Sequence, residues 1–211
     1  TASRRSTSSM SCTALSWQRI PVALVPLSYK LLPQLLQQTP PPGAPAWRTH
    51  ALGKWHIGWS FLNHTATWRG FDTFFGTRGN TNNYWQHTLA GTGPGSARCS
   101  TAKPLRDFID CKGHEVALAP DAAYGVYDSK VLTDRALSIV ANHSLTDSLY
   151  VYLAFHNVHG PEEAPQDTVS RLSHIRYDRR KIADAMLTEL DYGAGNITGL
   201  MKERGMWGSS L

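Results

Sequence analysis

The sequence contains no run of 18 apolar residues, which excludes a hydrophobic segment long enough to cross a membrane as a helix. It also has no Asp or Glu before Asp72, so the net charge of +5 arises in residues 1–71. The seven Lys and Arg of that stretch are spread about one in ten residues. Because a nucleic-acid surface needs clustered basic residues with aromatic residues between them, we expect no nucleic-acid binding.

Cysteine is scarce, with only three residues in 211. Cys99 and Cys111 enclose a polar stretch that a disulfide would close and stabilise under oxidising conditions, which leaves Cys12 over. Three Asn-X-Ser/Thr acceptor triplets also occur, at Asn63, Asn142 and Asn196. These features predict a Cys99–Cys111 disulfide and a protein of the secretory pathway, lysosomal or extracellular, with three unpaired cytosolic thiols as the alternative.

The first part of the chain shows little regular pattern. Residues 1–24 are rich in Ser, Thr and Arg, and the four prolines of TPPPGAPAW at 39–47 prevent regular structure. We therefore expect an irregular segment over 1–24 and a folded domain over 25–211. Within that domain, Pro33 suits the first turn of a short helix.

The second half is better patterned. Asp128 is expected to cap a helix that runs to about Asn142. The apolar run LYVYLAF, residues 149–155, predicts a strand covered on both faces. A last helix is predicted over about 177–204 and is weakened in its middle by two glycines. A helix followed by a buried strand indicates an α/β fold with parallel strands.

Two polar groups follow strand-like segments. In HALGKWHIGW, residues 50–59, Lys54 and His56 would emerge side by side if a strand ends just before them, and together they could hold an anion. The alternative is a turn with a hydrogen-bonded histidine. His156 and His159 follow the run LYVYLAF, at the edge where sites form in such sheets. They could be read as a zinc pair, but no third ligand lies at a typical spacing.

Several ordered segments resemble one family. GKWHIG, RGFDTFFG, the Cys99/Cys111 pair, YLAFHNVHGP and NITGLMKERG look, in this order, like the middle of a sulfatase, closest to the arylsulfatase B-like group. The resemblance covers about residues 25–211, with a gap at the proline-rich insertion. It implies part of an alkaline phosphatase-like fold, a mixed sheet flanked by helices.

The resemblance also implies cofactors. Members of the family use a formylglycine made from cysteine in a C-T-A-S-R type signature, beside a calcium ion held by Asp and Asn residues. Thr1–Arg4 fits the end of that signature, so the cysteine would precede Thr1, and Arg4 becomes a candidate site residue. The four calcium ligands of the family have no counterparts in this sequence, so we expect weak calcium binding.

By the same resemblance, Lys54 would neutralise the charge of the sulfate and of the leaving group. His56 would steer the formylglycine hydrate, and His159 would bind sulfate or protonate the leaving oxygen. Such an arrangement suits a reaction in which negative charge develops on oxygen. His156 is expected to point elsewhere and to tolerate replacement.

These observations predict a sulfuric ester hydrolase that acts on a sulfated small molecule or glycan. The chain by itself, without nucleophile and calcium ligands, is expected to be inactive. Two alternatives remain open: a catalytically inactive secreted glycoprotein that retains the fold, and a related phosphatase or phosphodiesterase.

Overall fold

The computed structural model describes residues 24–38, 43–79, 83–89, 92–93, 99–100 and 102–210. Residues 1–23 lie outside these ranges, so the predictions for Arg4, for Cys12 and for nearly all of the irregular segment 1–24 fall outside the described residues. No helix within the described ranges is long and apolar enough to cross a membrane.

A five-stranded mixed sheet forms the centre of the described structure. Its strands are β1 (Trp47–Lys54), β2 (Thr73–Thr77), β5 (Ile109–Lys112), β6 (Glu115–Leu118) and β7 (Ser148–Ala154). They are arranged in the order β6-β5-β2-β1-β7, and β1 is parallel to both of its neighbours. The strands β5 and β6 are antiparallel. Two short strands, β3 (Thr92–Gly93) and β4 (Cys99–Ser100), pair separately. The predicted α/β fold with a mixed sheet is confirmed.

Four α-helices accompany the strands in the described residues: α1 (Leu32–Leu36), α2 (Asp128–Asn142), α3 (Gln166–Arg171) and α4 (Asp178–Glu203). Alternation along β1 sends Leu52 to one face of the sheet and Ala51 to the other. Leu52 joins a core with Phe75, Phe108 and Leu132 of α2. Ala51 joins a second core with Trp55 and Phe74 on the opposite face. Both faces of β1 are therefore covered.

The strand β7 differs from its prediction. It spans Ser148–Ala154, close to the predicted 149–155, but its residues are only partly buried and Tyr152 is 44% exposed. The reason is position: β7 is the outer strand of the described sheet and pairs with β1 alone. An apolar run does not reveal whether a strand is central, so the expectation of cover on both faces is wrong.

The two long helices lie where the periodicity places them, and they pack against each other. Gly193 does not interrupt α4, because it lies at the contact with α2, where an added Cβ would approach Thr133 Oγ1 to 2.5 Å. The guanidinium of Arg204, just after α4, donates to the carbonyls of Val140, Ala141 and His143 at the end of α2. This cation satisfies acceptors that a helix end leaves open.

Cys111 is a free, buried thiol, so the predicted disulfide with Cys99 is not formed in the structure. Cys111 lies on β5 opposite Phe74, and its side chain packs in the apolar core around Trp55. The side chain of Cys99 lies outside the described residues. Burial, together with the charge of Asp110, raises the pKa of the Cys111 thiol to about 11, so the thiol stays protonated at neutral pH.

Candidate functional site

The candidate site lies at one edge of the sheet. The parallel strands β1, β2 and β7 end at Lys54, Thr77 and Ala154, so their carboxyl ends meet there. Lys54 is half-buried and lies opposite Thr77 in the strand register. His56 follows two residues later, is exposed, and has a φ of 49°. Its backbone N–H donates to the carbonyl of Arg78 at 3.2 Å, which extends the pairing of β1 and β2 past their last residues.

A pair of glycines brings the backbones close just before this edge. Gly53 and Gly76 face each other across β1 and β2. An added Cβ on Gly53, whose φ is 88°, would lie 2.0 Å from the carbonyl oxygen of Ala154. A Cβ on Gly76 would lie 2.0 Å from the carbonyl oxygen of Gly53. Neither position can carry a side chain without separating the strands that present Lys54 and His159.

Electrostatics connects the three predicted site residues. Burial lowers the pKa of His56, and the positive charges of Lys54 and His159 lower it further. Burial also lowers the pKa of Lys54. Because charges affect each other's ionisation only when they are near, Lys54 and His159 lie close enough to His56 to influence it.

His159 lies on the exposed loop that follows β7. Its backbone N–H donates to the carbonyl of His156 at 2.9 Å, which closes a turn. Its Nδ1 lies 2.7 Å from the carbonyl oxygen of Gly160 and must donate to it, since a carbonyl can only accept. Nε2 has no hydrogen-bond partner among the described residues. It is therefore the ring atom that can exchange a proton with a ligand.

His156 is a buried structural residue rather than a replaceable loop histidine. Only 7% of it is exposed, its Nε2 lies 2.8 Å from Thr77 Oγ1, and its Nδ1 lies 3.2 Å from Asp128 Oδ1. The expectation that His156 tolerates replacement conflicts with these contacts. They fix the beginning of the His159 loop to the end of β2 and to the first residue of α2.

Asp128 does not cap α2 as predicted. Tyr127 occupies the N-cap position, and the buried Asp128 carboxylate is directed to His156 and His87 instead. His87 Nδ1 lies 3.6 Å from Asp128 Oδ2. Burial opposes ionisation of Asp128, but the two imidazoles outweigh it and hold the pKa of the carboxyl below its usual value. No local pattern revealed His87 or this use of Asp128, because an Asp before a periodic helix looks like an ordinary cap.

The three predicted glycosylation residues are all exposed. Asn63 lies in a short 3₁₀ turn, Leu62–His64, and Asn196 lies within α4. Asn142 is the last residue of α2, and its side-chain amide donates to the carbonyl of Ser138 at 2.8 Å. All three positions are open to solvent, as carbohydrate attachment requires.

Metal ligands are not grouped in the described part of the chain. No cluster there combines three or more His, Cys, Asp or Glu in a position to hold a metal ion. Calcium requires six to eight oxygen ligands, including carboxylates. The described residues therefore do not fit the calcium site that the resemblance implies, and His156 and His159 gain no third zinc ligand.

Comparison with known proteins identifies the relatives of this chain. The family profile described as Sulfatase matches residues 13–211. Arylsulfatase J of Mus musculus is 31% identical over 192 residues, which are 89% of this chain and 28% of that protein. The predicted family is thereby confirmed, whereas the arylsulfatase B-like subgroup stays a prediction. The chain spans less than a third of the length of this curated relative.

Solved structures agree with this fold. Ps i-CgsB in complex with k-i-k-neocarrahexaose superposes with a TM-score of 0.66 at 22% identity, covering 89% of this chain and 40% of that one. A Bacteroides thetaiotaomicron structure described under the metabolism of multiple glycosaminoglycans gives a TM-score of 0.61 at 10% identity, covering 88% of this chain and 41% of that one. At these identities the likeness concerns the fold alone.

Proposed function

Since this chain belongs to the sulfatase family, we propose that its sheet edge contributes to the hydrolysis of sulfate esters, with Lys54, His56 and His159 as the residues that bind the ester. The observation that carries the proposal is the position of Lys54 and His56 at the carboxyl ends of the parallel strands β1 and β2, beside the loop after β7 that carries His159. The lowered pKa of His56, caused by burial and by the charges of Lys54 and His159, supports it. The nonbridging oxygens of a sulfate ester are negatively charged. Fixed cationic donors stabilise that charge most effectively when they are arranged in advance.

Each side chain has a separate task in this proposal. The ammonium of Lys54 binds a nonbridging oxygen and offsets the charge that develops on the leaving group. The imidazole of His56 orients the ester from the same side of the edge. In its imidazolium form His159 gives the proton on Nε2 to the leaving oxygen and becomes neutral, while Nδ1–H stays bonded to the Gly160 carbonyl. No step is assigned to the formylglycine that the family implies.

The proposed substrate is a sulfated small molecule or glycan. A glycan is supported by two structural neighbours, one bound to a neocarrahexaose and one described under glycosaminoglycan metabolism.

An inactive glycoprotein with the same fold is the second candidate, favoured by the lack of a metal-ligand cluster in the described residues. The sulfatase rate of the full-length protein distinguishes the two candidates. If it is an enzyme, Lys54→Ala, His56→Ala and His159→Ala should each lower that rate roughly 10²-fold. Complete inactivity of the unaltered product would favour the glycoprotein.

Sulfate binding by the chain itself provides a direct test. We expect sulfate to shift the imidazole NMR signals of His56 and His159 in a saturable manner. Lys54→Ala should weaken this binding at least about tenfold, the scale of one charge-assisted hydrogen bond. Lys30→Ala is the matched control, because Lys30 is an exposed lysine outside the sheet. Equal affinity in the two variants would refute the proposed site, and preference for phosphate over sulfate would favour a phosphatase.

A secretory location is part of the proposal and rests on the three exposed acceptor asparagines. Expression in a secreting animal cell should attach carbohydrate at Asn63, Asn142 or Asn196. Treatment with an N-glycosidase should then increase the electrophoretic mobility of the chain. The variant with all three Asn→Gln changes serves as the control and should not respond. An unmodified chain in the secreting host would remove this support.

A further inference from the structure

The turn that carries His159 is held by a buried tyrosine that the reaction scheme does not use. The hydroxyl of Tyr84 lies 2.9 Å from the carbonyl oxygen of His156 and 2.7 Å from that of His159. Carbonyl oxygens only accept, so the hydroxyl is the donor and its single proton is shared between the two ends of the turn. Tyr84 is 2% exposed, which shields these bonds from competition with water.

Tyr84 is itself held in place by contacts to the same loop. Its ring stacks on that of Tyr127 with 5.5 Å between centroids. Its backbone N–H donates to the Glu163 carboxylate at 3.1 Å, and the Asn83 amide donates to the same carboxylate at 2.8 Å. The hydroxyl of Tyr127 donates to the Glu163 carbonyl at 2.7 Å. Asn83 and Tyr84 therefore bind the loop from His156 to Glu163 at both of its ends.

The side chain of His159 has little support of its own. Its only hydrogen bond among the described residues goes to the adjacent Gly160, and the ring is exposed. Such a contact orients the ring relative to its own backbone but does not fix the position of that backbone. The location of Nε2 relative to Lys54 and His56 must therefore be set by whatever holds the turn.

We propose that Tyr84 is a positioning residue that holds the His156–His159 turn through its hydroxyl and so places His159 against the sulfate. This inference rests on the proposed function. It assigns no contact between Tyr84 and the substrate, and its effect passes entirely through the backbone of the turn. The hydroxyl, rather than the aromatic ring, is the part that performs this task.

The substitution Tyr84→Phe isolates the hydroxyl, because the ring and its stacking on Tyr127 are kept. Tyr124→Phe is the matched control: its hydroxyl is also buried, but its ring lies against His87 and under the guanidinium of Arg106, and it makes no hydrogen bond to the His156–His159 turn. The probe is inorganic sulfate, and the readouts are the imidazole NMR signals and the dissociation constant of the 211-residue chain.

We expect Tyr84→Phe to weaken sulfate binding roughly fivefold to tenfold, the scale of one hydrogen bond, and to change the His159 signals before sulfate is added. Tyr124→Phe should alter neither. In a His159→Ala background, Tyr84→Phe should have no further effect on affinity, whereas a general loss of structure would weaken binding in both backgrounds.

The two proposals fail in different ways. If Lys54→Ala leaves sulfate binding unchanged, the proposed site is wrong. If Lys54→Ala weakens binding but Tyr84→Phe behaves like Tyr124→Phe, the site stands and the positioning role of Tyr84 is overturned. An equal loss of affinity from Tyr84→Phe with and without His159 would also overturn it, because the effect would not pass through that residue.

Discussion

Nε2 of His156 lies 2.8 Å from the hydroxyl oxygen of Thr77, although 79 positions separate the two residues in the chain. Thr77 is the register partner of Lys54, and His156 begins the turn that carries His159. This one contact therefore connects the strand end that presents Lys54 with the loop that presents His159. The two parts of the proposed site are thus connected through a buried histidine.

Replacement of Asp128 should show how much the buried network stabilises the fold. Asp128→Asn removes the buried carboxylate that His156 and His87 face, and we expect the free energy of unfolding at pH 7 to fall by about 2 kcal/mol, the scale of hydrogen bonds to a charged group. Because the folded-state pKa of Asp128 is lowered, its stabilisation is present above the usual carboxyl pKa and is lost as the pH falls below that value. Urea unfolding of both proteins should thus differ less at pH 3 than at pH 7.

Asp134→Asn on the same helix is the control for Asp128. Asp134 is exposed and pairs with Lys130 one turn away, so its loss should cost less than about 0.5 kcal/mol. Equal effects at the two positions would contradict a stabilising role for the buried carboxylate.

Sulfate affinity should depend on pH through His56. The pKa of His56 is lowered, so the ring is mostly neutral at pH 7 and gains its charge only below the usual range of about 6.5. Sulfate favours the charged ring, so its affinity should rise as the pH falls from 7.5 to 5. Calorimetric titration should show a weaker rise in His56→Gln than in the unaltered chain. His114→Gln, at an exposed histidine stacked on Trp68, should leave the pH dependence unchanged.

Arg69 should anchor residues 24–38 to the domain. Its guanidinium is 1% exposed and donates to the carbonyls of Val25 and Tyr29 and to the side chain of Gln34. Arg69→Leu leaves these acceptors unpaired, and we expect a loss of about 3 kcal/mol and early protease cleavage within 24–38. Arg48→Leu removes a surface pair with Asp147 and should affect stability much less. Unchanged cleavage in Arg69→Leu would contradict the anchor.

Cys111 should resist alkylation in the folded chain. The thiol is buried and its pKa is raised to about 11, so little reactive thiolate is present at pH 8. Without reductant, iodoacetamide should modify Cys111 only after denaturation, as measured by peptide mass spectrometry. A peptide pair joined through Cys99 and Cys111 would instead restore the disulfide that the sequence predicted.

The sequence predicts the long helices more successfully than the burial of the strands. Periodic apolar positions reveal α2 and α4 because each helix buries one face. Lys54 ends β1, and His56 and His159 lie within five residues after a strand, which is why strand-like runs in the sequence indicate them as candidates. Whether β7 is central depends on strand order, which no local pattern contains.

The residues that hold the site together were missed for the same reason. Tyr84 and His156 are 72 positions apart, and His156 and Asp128 are 28 apart. Single-sequence patterns carry no information about such pairs. The sequence predicts that Gly193 weakens α4. In the structure a Cβ at this position would lie 2.5 Å from Thr133 Oγ1, so glycine permits the close contact of the two helices.

The facing pair Gly53 and Gly76 is constrained by the packing of the strands and not by the chemistry of the proposed site. Neither position can gain even a methyl group, because a carbonyl oxygen lies 2.0 Å from each added Cβ whatever ligand is bound. If the proposed sulfate chemistry is lost in a descendant, the constraint that this chemistry places on Lys54, His56 and His159 is lost with it, whereas the strand pairing still requires both glycines. Retention of the two glycines would then indicate that the sheet is preserved, and retention of the three basic residues would indicate that the proposed site is preserved.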